Sequence, residues 1–128
     1  MRIEHLAIWV TDLEGMKEFY EDYFYAVAGE KYHNPNKNFT SYFLSFSEGS
    51  RLELMQKPQI PLLVDQEKER LGIIHFALSV GSKQKVDDLT ERLRKDGFSV
   101  IGEARTTGDG YYESVVLDPE RNRIEITV

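Results

Sequence analysis

Apolar residues in this chain recur with two different periods, and the switches between them mark out the elements. Residues 2–10 (RIEHLAIWV) alternate in the manner of a strand. From Thr11 to Phe24 the period becomes helical, with Leu13, Met16, Phe19/Tyr20 and Tyr23/Phe24 on one stripe. Thr11 followed by Glu14 predicts a capping box at its start. Residues 39–47 (FTSYFLSFS) and 51–57 (RLELMQK) read as strands joined by a turn at Glu48, Gly49 and Ser50.

The order then repeats. Residues 73–80 (IIHFALSV) predict a strand. Ser82 to Asp96 predicts a helix with Val86, Leu89 and Leu93 on its buried stripe and Gly97 as its stop. Residues 98–104, 111–117 and 123–128 read as strands. IEHLAIWV aligns with IIHFALSV, and RLELM with RIEIT. The chain thus reads as an α+β fold of two βαβββ modules, residues 1–57 and 73–128, within one domain of residues 1–128. A Pro-containing linker over 58–72, with one short helical turn, joins them. Neither half can bury its sheet alone, so a pseudo-two-fold arrangement is expected.

The pleat decides where the polar residues inside these strands point. Leu6, Ile8 and Val10 suit the side under the first helix, which turns His5 to the opposite side with Ala7 and Trp9. By the same parity Glu53 faces away between Leu52 and Leu54, His75 faces away beside Ala77 and Ser79, and Glu125 faces away between Ile124 and Ile126. His5 precedes Glu53 by 48 residues, and His75 precedes Glu125 by 50. Two such faces brought together would enclose a cavity holding two imidazoles and two carboxylates. That donor set suits a divalent Ni, Zn, Co, Mn or Fe ion and leaves two octahedral positions for water or substrate. A lone strand His or Glu is usually solvated or satisfied in a core; four at matching repeat positions call for a common reason. His33, in a loop-like stretch without a repeat counterpart, reads as a surface residue.

Composition narrows the chemistry. The chain has no cysteine, so any metal must sit on nitrogen and oxygen. A net charge of -6 argues against a nucleic-acid partner, which requires a basic face. The apolar runs are far too short for a membrane span, and no signal peptide is visible, so a cytoplasmic location is expected. A chain of 128 residues can bury a core without staples.

The whole pattern resembles the vicinal oxygen chelate superfamily, the glyoxalase, bleomycin-resistance and extradiol dioxygenase group. LDPERNRIEI, residues 117–126, is similar to that family's D-P-(D/E)-G-N-x-(I/V)-E run, with Arg121 standing where Gly is usual. The resemblance implies a cup-shaped mixed sheet around one metal site. It places His5, Glu53, His75 and Glu125 on the four ligand positions of bacterial glyoxalase I. It implies a metal-dependent lyase or isomerase acting on a small substrate with adjacent oxygens, such as the hemithioacetal of methylglyoxal, through a metal-stabilised enediolate. Glu125 is then the proton shuttle and Glu53 its symmetric counterpart. Module pairing in the family often occurs between chains, and short sheets leave edges, so a homodimer is expected, with His5 and Glu53 from one chain and His75 and Glu125 from the other. The alternatives are a carbon-acid epimerase of the same superfamily, or a drug-binding resistance protein using an aromatic groove of Trp9, Tyr42, Tyr111 and Tyr112. The segment 105–114 reads as a hairpin loop or as a loop at the cavity mouth. Within it Glu113 either orients substrate or faces solvent.

Overall fold

A computed structural model describes residues 1–61 and 71–128. The chain divides into two compact units, Met1–Leu62 and Leu63–Val128. The helical turn expected in the linker falls largely outside the described residues. Each unit sets one helix on one sheet, so the fold class is α+β with two βαβββ-like halves.

The first unit contains β1 (His5–Trp9), α1 (Leu13–Phe24), β2 (Val27–Ala28), β3 (Tyr32–Asn34), β4 (Phe39–Ser45) and β5 (Arg51–Gln56). Its sheet runs β1-β5-β4-β2, with β3 also on β4. β1 is parallel to β5, and β4 is antiparallel to β5. Leu13, Met16, Phe19, Tyr20 and Phe24 of α1 are buried, as are Leu44, Leu52 and Leu54 on the strands. Each large apolar side chain so buried contributes about 1.5–3 kcal/mol.

Three details differ from expectation. The cap of α1 is Asp12, whose carboxylate accepts from the Gly15 backbone N–H at 3.0 Å. A Cβ on residue 15 would stand 2.4 Å from the Asp12 Oδ2, so a larger residue at the third helical position would make the capping carboxylate shift. Glu14 turns instead to Lys31 Nζ at 2.7 Å and the Tyr42 hydroxyl at 3.2 Å, so the Thr11–Glu14 capping box does not form. The second strand of this unit is broken into β2 and β3 around Gly29, Glu30 and Lys31. His33 therefore sits in a short strand, exposed, opposite Thr40.

The second unit contains β6 (Phe76–Ser79), α2 (Lys83–Lys95), β7 (Val100–Thr106), β8 (Tyr112–Leu117) and β9 (Arg123–Thr127), in the order β6-β9-β8-β7. β6 is parallel to β9. His75 stands one residue ahead of β6 rather than inside it. Ser82 caps α2, accepting from the Lys85 N–H. Gly97, at φ 94°, ends it, and the Phe98 N–H returns to the Leu93 carbonyl at 2.9 Å. Leu89 is only half-buried; Thr90 takes a buried place, its hydroxyl 2.6 Å from the Val86 carbonyl and 2.7 Å from the Ser114 hydroxyl. Among the described residues no helix is long and apolar enough to cross a membrane.

The turn before β9 is built on one buried carboxylate. Asp118 accepts from the backbone N–H groups of Glu120 at 3.0 Å and Asn122 at 2.8 Å, and from the Asn122 side chain at 2.8 Å. Arg121 adopts φ 68°, the left-handed conformation for which glycine is suited. That costs an L-residue about 1–2 kcal/mol, of which glycine's greater chain entropy returns about 0.5–1 kcal/mol.

Two stability effects follow from this turn. Arg121→Gly should raise the urea midpoint by a net gain of about 0.5–1 kcal/mol. Asp118→Ala should lower it by about 2–3 kcal/mol, because two backbone donors lose a charged acceptor. Urea unfolding followed by circular dichroism checks both; a neutral Asp118→Ala would mean that the turn holds without its carboxylate.

Candidate functional site

The two units repeat one local construction. Ala7 of β1 pairs with Glu53 of β5, and Ala77 of β6 pairs with Glu125 of β9. In each, the His lies two residues ahead of that Ala, on the same side of the pleat. The alanine methyl occupies little of the space between strands, so imidazole and carboxylate can approach diagonally across it. His5 Nε2 stands 3.8 Å from Glu53 Oε2, and His75 Nε2 stands 3.4 Å from Glu125 Oε2. The carboxylates are mostly covered, with side-chain exposures of 14% and 17%; the imidazoles are open, at 38% and 42%. All four side chains lie on the sheet side away from their helix. The flanking Leu52, Leu54, Ile124 and Ile126 are buried on the helix side.

These separations test whether the residues suit a metal. Two donors each about 2.1 Å from one ion stand about 3.0 Å apart at a right angle and about 3.4 Å apart at the tetrahedral angle. The second pair already has that spacing. The first must close by a few tenths of an ångström, a side-chain rotation. Imidazole and carboxylate also form a donor set suited to divalent first-row ions. The candidate ligands come together as two pairs, one in each unit. Among the described residues of one chain, no group of three or more His, Asp or Glu side chains gathers to hold an ion.

The surroundings of the two pairs differ. Around His5, Glu4 Oε2 lies 2.6 Å from the imidazole Nδ1. The other Glu4 oxygen accepts from Arg51 Nε at 3.0 Å and also from Arg51 Nη2. These hydrogen bonds, from His5 first and Arg51 second, hold the Glu4 carboxyl below the usual carboxylate range. The Arg51 guanidinium lies over the Phe43 ring at 4.3 Å, and Phe43 meets the His5 ring edge to face at 5.3 Å. Next to Glu125 stand Ala77 and Val115, with polar residues beyond them. Glu113 of β8 pairs with Thr127, two residues along from the Val115–Glu125 pair, and shares their face. Burial raises the Glu113 carboxyl above its usual range, the Glu125 charge and hydrogen bond raise it further, and Arg105, 3.8 Å away, works against them. Glu113 thus faces Glu125 rather than open solvent.

The four aromatics expected to line a groove do not share a face. Tyr42 is on the helix side with Glu14, and the Tyr112 hydroxyl donates to Asp87 of α2 at 2.7 Å. Tyr111 is exposed in the loop between β7 and β8. That loop is closed on itself: the Thr107 N–H meets the Tyr111 carbonyl at 2.8 Å, and its hydroxyl donates to Asp109 at 2.5 Å. Trp9 does lie on the His5 side, set edge to face against Phe39, which contacts Tyr32. Glu4, Arg51 and Phe43 carried no signal in the sequence. Glu4 is next to His5 on the chain, and adjacent strand residues ordinarily point to opposite faces.

Known proteins resemble this chain in sequence and in fold. The chain is 26% identical over 127 residues to uncharacterized protein YqjT of Bacillus subtilis (strain 168), covering 97% of this chain and 96% of that one. It is similar in fold to glyoxalase I from Zea mays, with a TM-score of 0.76 at 22% identity; the match covers 98% of this chain but only 44% of the maize chain. It is likewise similar to the trypanothione-dependent glyoxalase I of Leishmania major, with a TM-score of 0.78 at 24% identity, covering 99% of this chain and 86% of that one. The family model for the Glyoxalase/Bleomycin resistance protein/Dioxygenase superfamily matches residues 2–126, from the strand that carries His5 to the strand that carries Glu125, and the chain belongs to that superfamily.

Proposed function

We propose that this protein is a divalent-metal-dependent lyase or isomerase of the glyoxalase I type, acting on a small substrate with adjacent oxygens. The observation that carries the reading is the duplicated His–Glu pair, in the same register in both units and at separations of 3.8 and 3.4 Å. His5, Glu53, His75 and Glu125 would hold the ion. When bound there, a divalent ion supplies Lewis-acid polarisation of a substrate carbonyl. The rest belongs to the chain's own side chains. Glu125 takes the proton from the carbon beside the carbonyl and returns it to the neighbouring carbon, the work of a positioned general base. Glu113 lies on the same sheet face as Glu125, two residues along β8 from its strand partner Val115. Glu53 occupies the corresponding place in the first unit and serves as ligand. The substrate class is a hemithioacetal of a small α-oxoaldehyde. The Leishmania relative is trypanothione-dependent, so the thiol is the variable to screen.

The assembly we propose is a cytoplasmic homodimer, each site taking one His–Glu pair from either chain. A test follows from mixing two inactive variants, one carrying His5→Ala and Glu53→Ala, the other His75→Ala and Glu125→Ala. In a swapped dimer, co-refolding restores one intact site per mixed dimer, read as recovered Ni²⁺ binding and turnover. If each site is built from one chain, the mixture stays inactive.

A second reading is favoured by Trp9, Phe39 and Tyr32, which cluster at the far end of β1 from His5, on its face, with the Lys57 ammonium 5.0 Å from the Trp9 ring centroid. Such a platform suits a planar organic ligand held without turnover, as in a drug-binding resistance protein. Methylglyoxal turnover with several thiols separates the two. In the enzyme, Glu125→Gln should bind metal with modest loss and lower turnover by roughly 10²–10⁴. His75→Ala should lose metal first and recover activity with excess ion. Near-normal turnover in Glu125→Gln would move the base to Glu53, which a parallel Glu53→Gln variant reads directly.

A further inference from the structure

The two His–Glu pairs share a register but not their support. His5 belongs to a closed ring of contacts: its Nδ1 meets Glu4, Glu4 is gripped by Arg51, Arg51 lies over Phe43, and Phe43 abuts the His5 ring. The backbone reinforces that ring. The Arg51 N–H donates to the Glu4 carbonyl at 3.1 Å, and the Ser50 hydroxyl donates to the Ile3 carbonyl at 2.6 Å, so the segment before β1 is tied to the turn before β5. The aligned positions in the second unit hold Ile74 for Glu4, Arg123 for Arg51 and Val115 for Phe43. Among the described residues the His75 imidazole has one polar contact, with Glu125.

An ionised carboxylate only accepts hydrogen bonds, so the short His5–Glu4 contact requires the proton on Nδ1. The Nε2 lone pair then faces Glu53. We propose that Glu4, gripped by Arg51, is a positioning residue that fixes His5 as the Nδ1–H tautomer and aims its Nε2 toward Glu53, leaving only a small side-chain rotation to close the first unit's pair. This rests on the metal reading of His5 and Glu53 given above. A carboxylate behind a ligating histidine orients the ring and strengthens its bond to the ion.

The test uses the full chain freed of metal, in two measurements. Long-range ¹H–¹⁵N spectra at about pH 8, above the ordinary imidazole range, report the His5 tautomer. Wild-type protein should show Nδ1–H, and Glu4→Ala should shift His5 toward Nε2–H while the rest of the spectrum stays folded. Calorimetric titration with Zn²⁺ should show Glu4→Ala binding about 10–100-fold more weakly. Glu4→Gln, whose amide oxygen still accepts from Nδ1–H, should regain part of that loss. Unchanged tautomer and affinity in Glu4→Ala overturn the proposal. So does an affinity loss without a tautomer change, which would assign Glu4 only a long-range charge effect. If wild-type protein shows the Glu4-dependent tautomer but takes up no Zn²⁺, the metal reading itself fails, and the coordination role of Glu4 fails with it.

Discussion

The pairing of the first strand of each unit with its last one governs everything built on the sheet faces. β1 runs parallel to β5 and β6 parallel to β9, with Ala7 opposite Glu53 and Ala77 opposite Glu125. Side chains alternate across a strand with a period of two, so a slip of one residue in either pairing would send a carboxylate under the helix. The apolar neighbours prevent it. Leu52 and Leu54 in one unit, and Ile124 and Ile126 in the other, are buried beneath α1 and α2, and a slip would expose them. The hydrophobic core therefore sets the register, and the register brings each His to its Glu. Packing and chemistry occupy opposite faces of the same strands.

Turn and cap details serve that arrangement. The buried Asp118 closes the turn that feeds β9 and keeps Arg121 in the left-handed region. A tolerated strain of this kind marks a turn whose path matters more than its local energy. In the first unit the Asp12 cap fixes the start of α1 immediately after β1 and Val10, the last buried residue of that edge. The two halves have diverged around this shared frame. Against His5 stands Phe43, with a carboxylate–guanidinium pair behind the imidazole, and Trp9 and Phe39 pack together further along the same face. Near His75 and Glu125 stand Ser79, Thr127, Glu113 and Arg105.

Much of this was legible because parity and repeat are strong signals. The strand residues flanking His5, Glu53, His75 and Glu125 alternate clearly, and the second copy checks the first. The strands β2 and β3 were not legible, since two or three residues cannot display an alternation and Gly29 interrupts them. The Thr11–Glu14 box does not form because Asp12 caps the helix one residue later, its carboxylate accepting from the Gly15 N–H. Aromaticity alone offers Tyr42 and Tyr112 to the groove of the alternative drug-binding reading, whereas parity with Leu44 and Val116 places them under the helices. Glu4 could not be found by pattern, because its contact with His5 depends on a chain path ahead of β1 that departs from strand geometry.

The measurement that tests the central claim most directly is a crystal structure of the Ni²⁺-loaded protein with anomalous difference maps at the nickel edge. The account predicts one strong peak for every set of four ligands, within about 2.0–2.2 Å of His5, Glu53, His75 and Glu125. Nickel bound elsewhere, or no peak while the two pairs point to separate places, would contradict it.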